Sequence, residues 1–337
     1  MAKKVRLSDV AEKAGVSTAT VSRVLNSKST VASGTRQLVL EALTALGYEK
    51  PNELREASGS RIGIVAPDLN TTTTPLFIQE AVSLATASGY APILLTRTSG
   101  NSAESYLQML IKQQVSGVLF LTGFEQDDAE TVYRYLQHGD RDIPFVTING
   151  RNPNIGVPDF STDHVEAARE SVQYLFHSGH RSIGLMTGPE RFRPAQNTAM
   201  GYRQAMMELC PASDQHVIHT LYSSEDGERA VDQLLDLGMT AVICGSDLLA
   251  LGALRRVRER DMRVPEDVSI VGHDDSSLMS FTSPPLTSNR EPIREIVAVA
   301  IGTLVEMMTG GNPPRVPMTF RSELITRGST GSAPRET

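Results

Sequence analysis

Two sets of side chains in this sequence carry groups suited to specific contacts with other molecules. The first lies in LSDVAEKAGVSTATVSRVLN, residues 7–26. Arg23 brings a guanidinium, which can donate two parallel hydrogen bonds to the edge of a guanine, and the methyl groups of Thr18 and Ala19 can pack on that of a thymine. Ser22 shares their exposed side, while Ser17, Thr20 and Asn26 carry hydroxyl or amide groups of the kind that hold phosphates and set register. The second set follows apolar runs: Asn149 after IPFVTI, and Asp274 with Asp275 after VSIVGH. The two aspartates read either as ligand-binding groups at a strand's carboxyl end or as turn formers. In ERFRPAQN, Arg191 and Arg193 offer planar forks for a phosphate or carboxylate.

Catalytic chemistry is not expected. The sequence has no GxSxG elbow, no P-loop and no GxGxxG after a strand, and Asp274–Asp275 lacks a matching base or nucleophile nearby. Cys210 and Cys244 are far apart, which predicts buried free thiols rather than a disulfide or zinc site. His164, His177, His180, His216 and His219 share no metal spacing on one helix face, so neither a metal nor a cofactor is expected.

The elements that must position the first set are helices. Val10, Ala11, Ala14, Val16, Val21, Val24 and Leu25 are spaced for two short helices on one core, with Ser8 and Ser17 as caps and Gly15 at the turn. A third amphipathic helix runs from about Ser33 to Leu46, with Leu38, Val39, Ala42, Leu43 and Leu46 on its buried side and Gly47 ending it. These are the requirements of a helix-turn-helix, whose second helix enters the major groove of double-stranded DNA. Charge agrees. Through Arg61, ten Lys and Arg face six Asp and Glu, a net of +4; beyond it twenty-two face thirty-three, a net of −11. A basic head is drawn to phosphate while an acidic body stays off it.

From Ile62 the chain alternates apolar runs (IGIVA, APILLT, VSGVLFLT, IPFVTI, then SIGLMTG, VIHTLY, TAVICGS, DVSIVGHD) with helical patterns such as AESYLQMLIKQQ and VEAARESVQYLFHSG. That alternation predicts α/β architecture, parallel sheets covered by helices, in two doubly wound lobes with a ligand cleft between their strand ends. No run reaches the ~20 apolar residues of a membrane span and no export signal is evident, so a cytoplasmic protein without membrane contact is expected.

LSDVAEKAGVSTATVSRVLN and the following VASGTRQLVLEALTALGYEKPN resemble the DNA-binding head of the LacI/GalR family of repressors. Farther on, IGIVAPD, SGHRSIGLMTGP, AMGYRQAM, SDLLALGALR, VPEDVSIVGHDD and PPLTSNREP resemble the family's body and, more distantly, periplasmic sugar-binding proteins. The resemblance implies a head at 1–50, a hinge at 51–61, and a body at 62–330 for effector binding and dimerisation. Its lobes would be 62–160 plus 292–318 and 161–291 plus 319–330, with a polar tail at 331–337. It also implies a homodimer reading a pseudo-palindromic operator under control of a sugar, polyol, nucleoside or phosphorylated derivative. A solute-binding protein without regulatory role is the alternative, against which the helix-turn-helix and missing export signal argue.

By the same likeness, Asp274 is where family members place an aspartate that accepts hydrogen bonds from ligand hydroxyls or amines. Asp68, Asn149, Thr198, Ser246 and Ile293 join Arg191 and Arg193 as the remaining effector candidates. Thr198 replaces a frequent arginine, Ser246 an asparagine, His273 and Ile293 aromatics; Asp247 reads as a helix cap. Asn52 and Leu54 complete the DNA-facing set: the family's minor-groove leucine aligns with Ser58, leaving Leu54 as the large apolar wedge, or else the segment is a flexible Ser/Gly linker.

Overall fold

The structure, a computed structural model, describes residues 7–25, 33–46, 60–67, 69, 71–96, 103–121, 131–132, 134–136, 142–150 and 155–334. It divides into residues 1–59 and 60–337.

The head consists of α1 (Leu7–Ala14), α2 (Thr18–Leu25) and α3 (Ser33–Leu46). Gly15, at φ +65°, takes the left-handed conformation that turns the chain out of α1, and Val16 N–H reaches back to Ala11 O at 3.0 Å. Ser17 caps α2, its Oγ accepting from Thr20 N–H at 3.2 Å. Ser8 does not cap: it lies inside α1 and donates to Asp9 Oδ1 at 3.4 Å. The core is Val10, Ala11, Val21, Val24, Val39 and Ala42, with Leu7, Ala14, Val16, Leu43 and Leu46 around it. Leu38 was expected inside but is 54% exposed, because the face defined by Val39 and Ala42 turns its neighbour outward.

The body holds two six-stranded sheets, and the expected α/β architecture is borne out. The first contains β1 (Arg61–Ala66), β2 (Ala91–Thr96), β3 (Val115–Leu121), β4 (Phe145–Ile148), β5 (Asp159–Thr162) and β11 (Pro317–Phe320), in the order β11-β5-β4-β3-β1-β2, all parallel. The second contains β6 (Ile183–Thr187), β7 (His216–His219), β8 (Ala241–Cys244), β9 (Ser269–Asp274), β10 (Thr287–Arg290) and β12 (Glu323–Ile325). Its order is β12-β10-β9-β8-β6-β7, with only β12 antiparallel. Strand residues alternate between layers: Ile62, Ile64 and Leu119 face one cluster, Val65, Val118 and Phe120 the other.

Helices α4 (Thr74–Ala87), α5 (Ala103–Lys112) and α10 (Ile293–Met308) cover the first sheet. Around the second pack α6 (His164–His177), α7 (Arg193–Leu209), α8 (Ser224–Asp236) and α9 (Asp247–Glu259). At Gly201 of α7 a Cβ would stand 2.1 Å from Val165 O, so only glycine allows α7 this close to α6. Tyr202 beside it is fully buried and donates to Ile183 O at 2.7 Å.

The chain passes between sheets at Asp163, at Glu291–Pro292 and at Arg321–Ser322. The polar tail is anchored where it begins, together with the residues just before it. Ser329 Oγ donates to Ile270 O at 2.6 Å, Gly331 O faces His180 Nε2 at 3.2 Å, and Ala333 N–H donates to Ser178 O at 2.9 Å. Hydrogen bonding to the second sheet therefore holds a segment with few apolar side chains. Among the described residues no helix is long and apolar enough to cross a membrane.

Candidate functional site

In the head, α2 leaves Thr18 and Ala19 exposed at its start. Ser17 is exposed as well, its Oγ 2.9 Å from Thr20 Oγ1, which gathers two hydroxyls at the helix N-terminus where backbone N–H groups attract anions. Ser22 and Arg23 continue α2; their side chains, together with Asn26, Asn52 and Leu54, lie outside the described residues.

In the body, buried polar groups gather where the carboxyl ends of both sheets meet the crossing segments. Asp274 ends β9 with φ +106°, a conformation that side chains other than glycine rarely adopt. Its Oδ2 accepts from Thr72 Oγ1 at 2.8 Å, and Thr72 precedes α4 in the other lobe. Asp247, fully buried, accepts from Ser288 Oγ and from Ser276 N–H, each at 2.8 Å. Burial raises Asp247 to about 6, against the pull of those donors. The Asp274 carboxyl stands well above the usual carboxylate range, because burial and then the charges of Asp247 and Glu291 oppose its ionisation. Burial also pushes Tyr222 up to about 12, with Asp274 adding to the rise. The Tyr222 ring fits there because Gly188 lacks a side chain: a Cβ would lie 2.2 Å from Tyr222 Cζ.

A chain of contacts runs from this cluster into the first lobe. His273 Nε2 stands 3.8 Å from Glu291 Oε1, and Thr162 Oγ1 donates to the same oxygen at 2.9 Å. Thr162 N–H donates in turn to Asn149 Oδ1 at 3.3 Å. Burial disfavours the charged form of His273, yet the Glu291 carboxylate, together with Asp274 and Asp247, outweighs it and raises the imidazole. Glu291 is correspondingly lowered despite its own burial. His164 packs against His273 and is lowered to about 4, chiefly by burial and next by His273.

Of the sequence candidates, Asp274 and Asn149 join this network. Asp275 turns away to Arg290 at 2.8 Å and Arg327 at 2.6 Å. The roles given to Ser246 and Asp247 are exchanged. Ser246 Oγ caps α9 by accepting from Leu249 N–H at 3.3 Å, while Asp247 joins the network. Thr198 is buried in α7 and donates to Pro194 O at 2.9 Å. Ile293 packs on the first-lobe core. Arg191 and Arg193 are exposed; Arg191 lies 4.7 Å above the Phe192 ring and Arg193 faces Gln196 at 3.5 Å. Asp68 lies outside the described residues.

Sequence reading missed Thr72, Tyr222, Asp247, His164, His273 and Glu291 as a group. Strand-end position was a usable signal for Asp247 and His273, and the threonine run TTTTP at 71–75 reads either as hydroxyls at the mouth of the first lobe or as a surface loop; nothing local marked Glu291.

Residues 6–52 match the family described as bacterial regulatory proteins, lacI family. Residues 172–330 match the periplasmic binding protein-like domain. The HTH-type transcriptional regulator reg1 of Streptomyces lividans is 42% identical over 338 residues, covering 98% of this chain and 98% of that protein. Among solved structures, the transcriptional regulator CelR–cellobiose complex aligns with TM-score 0.72 and 29% identity, covering 96% of this chain and 99% of that one. The Lac repressor dimer bound to operator and the anti-inducer ONPF aligns with TM-score 0.73 and 26% identity, covering 98% and 100%.

Proposed function

The chain belongs to the lacI family of bacterial regulatory proteins, and from that membership we propose that it is a repressor controlled by an uncharged, hydroxyl-rich small molecule. A cytoplasmic homodimer would bind a pseudo-palindromic operator through α2 of each head, and the ligand would enter between the lobes. The observation that carries the ligand reading is the buried Asp274 carboxyl group, held at φ +106° and bonded across the lobes to Thr72. Strained backbone of this kind persists where the surroundings enforce it, often around a ligand. Asp247 and Glu291 add further carboxyl groups to the same buried cluster. A phosphate would bring a second negative charge beside the Glu291 carboxylate, whereas hydroxyls can donate to carboxylate oxygens and accept from a protonated carboxyl. The complex of CelR with cellobiose supports a sugar in this architecture.

The dimer is supported by the Lac repressor dimer and by Leu278 and Phe281, which are 66% and 85% exposed and offer apolar surface for a second copy to cover. Switching is a population shift: ligand that closes the lobes changes the spacing of two heads and hence operator affinity. Linkage then requires operator and ligand to alter each other's affinity by the same factor, typically ~5–150-fold.

The test is selection of bound fragments from random DNA by the purified protein, repeated with sugars, polyols, nucleosides and their phosphates. A palindrome whose capture responds to an uncharged sugar or polyol is the expected result. Failure to enrich any sequence overturns the operator reading, and a response confined to phosphorylated compounds overturns the ligand class.

A further inference from the structure

His164, His273 and Glu291 come from three separate elements: the first residue of α6, the strand β9, and the crossing segment after β10. They are 5%, 7% and 8% exposed. Each offers one ligand atom, and the three atoms lie within 4.8 Å of one another. The two imidazole rings are tilted by 41° with centroids 5.2 Å apart, so they do not stack flat. Nε2 of each histidine is buried without a hydrogen-bond partner among the described residues. The 3.8 Å from His273 Nε2 to Glu291 Oε1 is too long for a hydrogen bond. Two unsatisfied imidazole nitrogens beside a buried carboxylate are unusual, since buried polar atoms normally find partners.

We propose that His164, His273 and Glu291 form a binding site for one divalent transition-metal ion of the zinc type. Two imidazoles and a carboxylate make up a donor set that zinc accepts, with a fourth position left for water or another oxygen. Bonds of about 2.0–2.2 Å place tetrahedral ligand atoms about 3.4 Å apart, so side-chain rotations of roughly an ångström close the triad on an ion. Glu291 is already oriented for this by the Thr162 hydroxyl, which donates to its Oε1 at 2.9 Å. His164 and Glu291 each adjoin a crossing between the sheets, and His273 precedes Asp274. An ion held by all three therefore ties two of the three crossing segments to the end of β9, fixing the pivot about which the lobes would move. The metal site stands on these residues alone and does not depend on which molecule the cleft takes.

The experiment uses the untagged full-length protein, freed of metal with a chelator and titrated with zinc chloride in a calorimeter. Wild type takes up one equivalent per chain and its thermal midpoint rises, while Glu291→Gln and His164→Asn lose that equivalent. In parallel, cobalt(II) gives wild type the intense visible absorption of a four- or five-coordinate ion, which both variants lose. Absence of a stoichiometric equivalent in wild type overturns the proposal, as does equal uptake by both variants, which would place the ion elsewhere. If either metal-free variant melts as an unfolded chain, the wild-type cobalt spectrum decides: weak octahedral absorption overturns the site.

Discussion

Thr72 Oγ1 and Asp274 Oδ2 lie 2.8 Å apart although 202 residues separate them, and the bond they share joins one lobe to the other. A hydroxyl donating to a buried carboxyl group that also receives Asp247 N–H at 3.4 Å is a latch between two lobes that three crossing segments and the Thr162–Glu291 bond also join. Thr72→Val keeps the shape of the side chain and removes the donor. Burial and the neighbouring charges favour the protonated form of Asp274, so the bond contributes about 0.5–1.5 kcal/mol, and the ligand-free lobes should open in the variant. Small-angle scattering would register a larger radius of gyration; an unchanged one would show that the bond does not hold the lobes together.

The head makes a separate prediction. Arg23→Ala should weaken operator binding by about 1–3 kcal/mol and relax selectivity at one base pair in each half-site. Binding measured against a library of single-base operator variants distinguishes this from a phosphate contact, which would weaken every sequence alike.

Packing between α6 and α7 makes a third. Gly201→Ala would set a methyl 2.1 Å from Val165 O, and backbone on the facing helix cannot swing aside as a long side chain can. Overpacking of this kind costs about 1–3 kcal/mol. Urea unfolding should show a lower midpoint with an unchanged slope; wild-type stability would mean that the helices separate freely.

The first and third tests fall where sequence alone was least informative, while the second was legible in it. The strands β1, β3, β4, β6, β8 and β9 were legible because each is an apolar run buried on both faces, and the partly exposed edge strands β2 and β7 because each continues an apolar run between helical patterns. In contrast, β5 (DFST), β10 (TSNR), β11 (PMTF) and β12 (ELI) are short and are not continuous apolar runs. Two of them bury polar groups instead: Asn289 of β10 donates to Ser171 Oγ at 2.8 Å, and Asp159 of β5 accepts from Thr147 Oγ1 at 2.7 Å. The site divides the same way. Asp274 and Asn149 could be read from their places after strands, but Thr162 and Glu291 meet across 129 residues, and no local pattern encodes such a pair. Ser246 and Asp247 both suit a helix start, so only the fold decides which one caps.

His180 gives the pH prediction. It is fully buried after α6, with Nδ1 2.9 Å from Thr240 Oγ1 and Nε2 3.1 Å from Ser269 Oγ. Burial lowers its pKa below the ordinary 6.5, although the Gly331 carbonyl pulls the other way. Above 6.5 the ring is neutral in folded and unfolded chains alike, and its contribution to stability is fully present. As pH falls below 6.5 the unfolded chain takes up a proton first, so stability is lost progressively until the folded ring protonates too. His180→Gln removes this proton uptake. The variant should be less stable than wild type at neutral pH, through its lost hydrogen bonds. As pH falls below 6.5, however, its stability should fall less steeply, by up to one proton or about 1.4 kcal/mol per pH unit. His164, lowered to about 4, titrates in both proteins and cancels in the comparison. Urea unfolding across that range reads the slope directly, and parallel curves would mean that His180 carries its proton in the folded chain as readily as in the unfolded one.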